Sequence, residues 1–204
     1  MPSHPRSGCV LSETAPEPPV YYDTNVWVAW MRGSADRFFE RAKRLVDDVI
    51  LGRKVVVVSY VVILETIHTL RRRITENYKS ERSQDGTPRH TQIRNEIDKI
   101  TDMFLSLVYD LARKGHILLA EPNVSVTDHH VLVLRKMRQY FGRIRTGSPS
   151  RTPEYRYMGL GHADLEHAFL AKLCNVGTFY TSDLSFEHLD NDDDFKDMRF
   201  EIIR

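Results

Sequence analysis

Four acids of this 204-residue chain fall where they could share a site: Asp23, Glu65, Asp164 and Asp183. Asp23 follows the β-forming run Val20-Tyr21-Tyr22, and Asp183 follows Thr178-Phe179-Tyr180-Thr181-Ser182. Glu65 is isolated among apolar residues, and Asp164 falls in the first turn of a predicted helix. An acid in apolar sequence is expensive to bury unless a cation meets it, and a divalent metal suits several converging carboxylates. Each also has a plainer role: Asp23 as an N-cap, Asp164 as a partner of the helix dipole, Asp183 as a turn residue and Glu65 as a surface group. Their joint placement is what points to a common site.

Other chemistries find less support. The nine histidines offer no zinc site, because His129 and His130 point apart on a helix and His162 and His167 miss the i,i+4 spacing. No phosphate-cradling glycine motif of the Walker or dinucleotide type is present. Cations for an anionic substrate are concentrated between Arg135 and Arg156, where seven bases face one acid, a local net of +6. Arg143, Arg145, Arg151 and Arg156 are interleaved there with Tyr140, Phe141, Tyr155 and Tyr157. Arginine forks suit phosphates and aromatic faces stack unpaired bases, so single-stranded or looped RNA is the expected substrate. The alternative is a solvated basic loop with its tyrosines packed inward.

These groups must be held by alternating strands and helices. Strands are predicted at 20–22, 55–58, 116–120, 178–181 and 199–203. The unbroken β-branched block at 55–58 suits a strand covered on both faces. Ser34 and Gly52 bound a helix carrying Phe38, Ala42, Leu45, Val46 and Val49, and Ser59 caps the next, which aligns Val62, Glu65 and Thr69 and ends near Arg71-Arg72-Arg73. Arg71 to Arg73 are then partners of the helix dipole. Ile93, Ile97, Ile100, Phe104, Leu107 and Leu111 form one face of a helix closing at Gly115. Residues 127–141 are amphipathic, with Val133, Leu134, Met137 and Phe141 inward, and 161–174 is helical. The alternation predicts a three-layer α/β/α sandwich around a parallel sheet of about five strands. In such a sheet, ligands bind beyond the carboxyl ends of the strands, where Asp23 and Asp183 lie.

The balance of 29 Lys+Arg against 28 Asp+Glu, with 41% hydrophobic residues, is that of a globular protein and excludes collagen, coiled coil and wholesale disorder. The formal charge of +1 averages the basic stretch against residues 183–204, with eight acids and three bases. Residues 1–19 hold five of the nine prolines and read as a flexible tail before a single domain over 20–204. Two cysteines are too few for a disulfide framework, and the longest apolar stretch, 55–64, is well short of the roughly 20 residues that span a bilayer. A cytoplasmic protein without a membrane segment is expected.

The chain resembles the PIN-domain nucleases, whose compact toxin-type members are VapC-like. The matching residues are Tyr22-Asp23-Thr24-Asn25-Val26, Ser59 with Glu65, Gly161-His162-Ala163-Asp164 with Ala168 and Ala171, and Thr181-Ser182-Asp183-Leu184-Ser185-Phe186. The resemblance spans residues 20–204, with 74–90 and 142–158 as elaborations. It implies a metal-dependent nuclease in which Asp23, Glu65, Asp164 and Asp183 hold Mg²⁺ or Mn²⁺ to activate a water against a phosphodiester, and the basic aromatic segment makes an endoribonuclease the expectation. The resemblance also implies a polar helper role for Thr181, and for Asn25 and Ser59 toward substrate. A toxin with a small antitoxin protein and an RNA-processing enzyme are two biological versions, and a homodimer is expected of either. The alternative is a catalytically silent RNA- or protein-binding module on the same fold.

Overall fold

Runs of β-branched and aromatic residues with no polar alternation form strands buried on both faces. A computed structural model of the chain describes residues 17–80, 89–120, 131, 133–136 and 160–204. Strands β1 (Val20–Tyr22) and β2 (Val56–Ser59) are buried at every position. They join β3 (Ile117–Ala120), β4 (Thr178–Thr181) and β5 (Arg199–Ile202) in one sheet of order β3-β2-β1-β4-β5. Every neighbouring pair is parallel. Helices α1 (Thr24–Arg32), α2 (Phe39–Ile50), α3 (Tyr60–Ser80), α4 (Arg89–Arg113) and α5 (His162–Leu173) flank the sheet, giving the expected α/β/α sandwich.

The strand order decides where a ligand can sit. The chain steps outward from β1 to β2 and β3, then returns to lay β4 against the other side of β1. The order reverses there, so the carboxyl ends of β1 and β4 border a crevice. Val20 pairs with Thr178 and Tyr22 with Tyr180, and the Asp23 amide donates to the Tyr180 carbonyl at 3.0 Å. Beneath the crevice, Phe179 stacks with Tyr21 and with Phe186, each at 4.9 Å between ring centres. This aromatic core fixes the strand ends from below.

Several local expectations change. The second helix begins at Phe39, because Gly33–Ala35 forms a 3-10 turn and Asp36, in place of Ser34, accepts from the Phe38 amide at 3.0 Å. Gly52 does close it at φ +68°, where a Cβ would also lie 2.9 Å from the His116 ring. Helix α3 does not end at Arg71 to Arg73 but runs to Ser80, so residues 74–80 are helix and not connection. Arg72 and Arg73 face Glu76 one turn on, and such i,i+3 and i,i+4 pairs carry a helix through polar sequence. The three arginines are therefore mid-helix and not partners of its C-terminal dipole. Residues 133–136 are helical with Val133 buried, but Leu134, expected inward, is exposed. Residues 142–158, with Arg143, Arg145, Arg151 and Arg156, lie outside the described residues, as do 1–16.

Candidate active site

Asp23 is the first residue beyond β1 and caps α1, its Oδ1 accepting from the Thr24 amide at 2.7 Å. The cap and the acidic site are the same residue. Its Oδ2 accepts from Asn25 Nδ2 at 2.6 Å and from Thr181 Oγ1 at 2.7 Å. Thr181, fully buried at the end of β4, also accepts from Asn25 Nδ2 at 2.8 Å and from the Asp183 amide at 3.0 Å. Asn25 completes the clamp by accepting from the Ser182 amide at 2.9 Å. Thus Asn25 and Thr181, set side by side by the β1–β4 register, lock Asp23 between two strand ends.

Glu65 reaches the same place from α3. Its Oε2 accepts from Thr24 Oγ1 at 2.9 Å and pairs with His167 Nε2 at 2.9 Å. His167, from α5, is 1% exposed, and its Nδ1 lies 2.8 Å from the Tyr21 hydroxyl. Tyr21 lies 3.0 Å from Ser59 Oγ, which accepts from the Val62 amide at 3.2 Å. Ser59 thus caps α3 as expected, but it is buried below the cleft and does not line it. The spacing between histidines had no bearing on His167. Its sequence signal is its place three residues after Asp164, one turn along the same helix.

Asp164 Oδ2 accepts from the Gly161 amide at 2.6 Å in the first turn of α5, and Asp183 Oδ1 accepts from the Ser185 amide at 2.8 Å. Asp23, Glu65, Asp164 and Asp183 together line one cleft of about 590 Å³. Among the described residues, Glu65 Oε1, Asp164 Oδ1 and Asp183 Oδ2 take no hydrogen bond, so three acids each keep one oxygen uncommitted. Arg32, Arg37, Phe38 and Arg73 line the same cleft. Arg32 is held by Asp36 at 2.6 Å, while the Arg37 guanidinium lies over the Phe38 ring at 4.4 Å. No spacing along the chain marks these arginines as a group, since α1, the turn after it and α3 bring them together only in space.

The carboxylates are perturbed in opposite directions. Burial pushes the Asp23 pKa above its ordinary value, against the lowering effects of His167, Thr181 and the Thr24 amide, and the charge of Asp164 pushes it further. Asp164 is also raised, by burial first and then by Asp183 and Glu65, against the Gly161 amide. Glu65 is lowered, because its bond to His167 outweighs its partial burial. Burial alone would lower the His167 imidazole, but the Glu65 bond and the charges of Asp23, Glu65 and Asp164 carry it above its ordinary value.

A sequence model of the PIN domain matches residues 20–192. The chain belongs to the PIN domain family. No curated protein matches it at a significant level. PIN domains are usually metal-dependent nucleases that use divalent ions such as Mg²⁺. The cleft of this PIN domain suits such an ion in kind: its acids offer hard oxygen donors, and their mutual repulsion is what a cation would relieve. The fit lies in donor chemistry, since among the described residues no three His, Cys, Asp or Glu side chains close into a preformed metal cluster. No helix among the described residues is long and apolar enough to cross a membrane.

Proposed function

We propose that the protein is a divalent-metal-dependent endoribonuclease. One observation supports this above the rest: four acids from β1, α3, α5 and the end of β4 line one cleft at the strand-order reversal, facing a rim of arginines. Asp23, Glu65, Asp164 and Asp183 would hold Mg²⁺ or Mn²⁺, which supplies activation of water and neutralisation of charge on the leaving oxygen. Thr181 and Asn25 fix the Asp23 carboxylate, and Arg37 and Arg73 meet the phosphates of the strand. Arg143, Arg145, Arg151 and Arg156 extend that contact along the substrate. The biological role is that of an RNA-processing enzyme or of a toxin paired with an antitoxin, and the enzyme acts as a homodimer.

The test is cleavage of single-stranded RNA with Mg²⁺ or Mn²⁺. Wild type should cut, whereas Asp23→Asn and Asp164→Asn should remain folded and not cut. Undiminished cleavage by both variants sinks the reading. Competition between matched RNA and DNA strands decides the sugar, because no described side chain is assigned to a 2′-hydroxyl. The silent binding module draws on one observation, the lack of a preformed metal cluster among the described residues. It predicts RNA binding with no metal-dependent cut.

A further inference from the structure

We propose that His167 is a positioning residue for Glu65, holding one carboxylate oxygen so that the other faces the metal; this rests on the nuclease reading of the cleft. Two donors, Thr24 Oγ1 and His167 Nε2, converge on Glu65 Oε2, while Oε1 takes no bond from the described residues. A free glutamate on a helix samples many rotamers, and a ligand that must be ordered on binding loses affinity. The two bonds impose that order beforehand.

A neutral His167 gives the hydrogen bonds behind it a single direction. The Val62 amide donates to Ser59 Oγ, and the Ser59 hydroxyl then gives its proton to Tyr21. Tyr21 then donates to His167 Nδ1, which leaves the ring proton on Nε2, aimed at Glu65. Each hydroxyl gives one proton and takes one, so this neutral tautomer leaves no member of the chain unsatisfied. The chain crosses four elements: Ser59 ends β2, Tyr21 is in β1, His167 in α5 and Glu65 in α3. A core site this enclosed is ordinarily filled by an apolar side chain, and a histidine is costly there unless both nitrogens are bonded. Both are bonded, and the second bond ends on an acid of the cleft.

The test is Mn²⁺ binding by the full chain, followed by electron paramagnetic resonance. Loss of an outer partner of a ligating side chain typically costs 10- to 100-fold in metal affinity, so His167→Leu should weaken Mn²⁺ at least about tenfold. His167→Gln, which retains an N–H donor, should recover most of that affinity. Tyr21→Phe removes a single oxygen and keeps the ring stacked on Phe179, so it decides the matter should His167→Leu fail to fold. It should weaken Mn²⁺ a few-fold in the wild-type background and add nothing once Glu65→Gln is present. A merely structural role would not show that dependence on Glu65. Cleavage lost by these variants at low Mn²⁺ should return at saturating Mn²⁺. Affinity within about twofold of wild type in His167→Leu and Tyr21→Phe overturns the proposal, as does an equal Tyr21→Phe loss with and without Glu65→Gln. Wild-type cleavage that depends on Mn²⁺, with the variants unmoved, removes this inference alone; wild type without Mn²⁺ affinity removes the nuclease reading with it.

Discussion

Lys136 and Asp192, with side chains only 5% and 4% exposed, close an ion pair at 2.6 Å, and Asp194 approaches the same ammonium at 2.5 Å. At the cleft, Asp23 and Asp164 are drawn from water beside other carboxylates, and the neighbouring His167 offsets that burial only in part. Both regions pay to remove charge from water. In the first, opposite charges from distant parts of the chain cancel, and the Lys136 pKa is raised by its aspartates in spite of burial. In the second, like charges are kept together and raise one another. A pair that is complete within the protein is structural, whereas an excess of one sign at a strand-order reversal waits for a counter-ion.

The largest effect should come from breaking the complete pair. Lys136→Met takes the ammonium from the buried Asp192, and should cost about 3–5 kcal/mol in urea unfolding. Cleavage per folded molecule should be unchanged. Supplying the missing counter-ion comes next: Mn²⁺ at about 100 times its Kd should stabilise wild type by about 2.7 kcal/mol in calorimetry. Lys136→Met should keep that increment, and Asp23→Asn should lose most of it.

A smaller effect should follow from relieving the like-charge repulsion without metal. Asp164→Asn keeps an oxygen for the Gly161 amide and removes one charge, so it should melt at an equal or higher temperature, by about 2 °C after allowance for solvent at this part-exposed group. The pH dependence has a definite sign. A raised folded-state pKa means that the folded chain binds this proton more tightly, so wild-type stability falls as pH rises through and above the ordinary aspartate value of 3.8. The advantage of Asp164→Asn should therefore be present at neutral pH and vanish below that value. The smallest effect belongs to the rim: Arg37→Ala should weaken binding of a short RNA a few-fold and lower the salt slope of binding by about one.

Much of this was legible in the residues. The runs at β1, β2 and β4 end abruptly at Asp23, Ser59 and Asp183, so strand ends and acids were found together, and the parallel sheet followed from the unalternating valines of β2. Helix boundaries were less so, because three consecutive arginines read as an end while Glu76, one turn later, keeps α3 going. His167 was hidden by its apolar neighbours, since a pattern that sends a side chain to the core does not say what it meets there. Counting charge along the chain also put Lys136 among the seven bases between Arg135 and Arg156, because its aspartates are more than fifty residues away. The same distance explains much of the acidic end: Asp192 and Asp194 hold Lys136, Glu187 pairs with Arg204, Glu201 pairs with Arg41, and Asp190 accepts from the Phe200 amide.

The clamp between Asp23 and Thr181 joins residues 158 positions apart. During synthesis, β1 emerges before the other strands and becomes a central one, yet the neighbour that closes its second side is made only after β2, β3 and the helices between them. Until then Asp23 has its cap but neither its threonine nor the acids of α5 and the β4 end. Contacts of such long range form slowly and late. A ribosome translating this message therefore carries an unfinished acidic cleft until the residues 158 positions beyond Asp23 have followed it out.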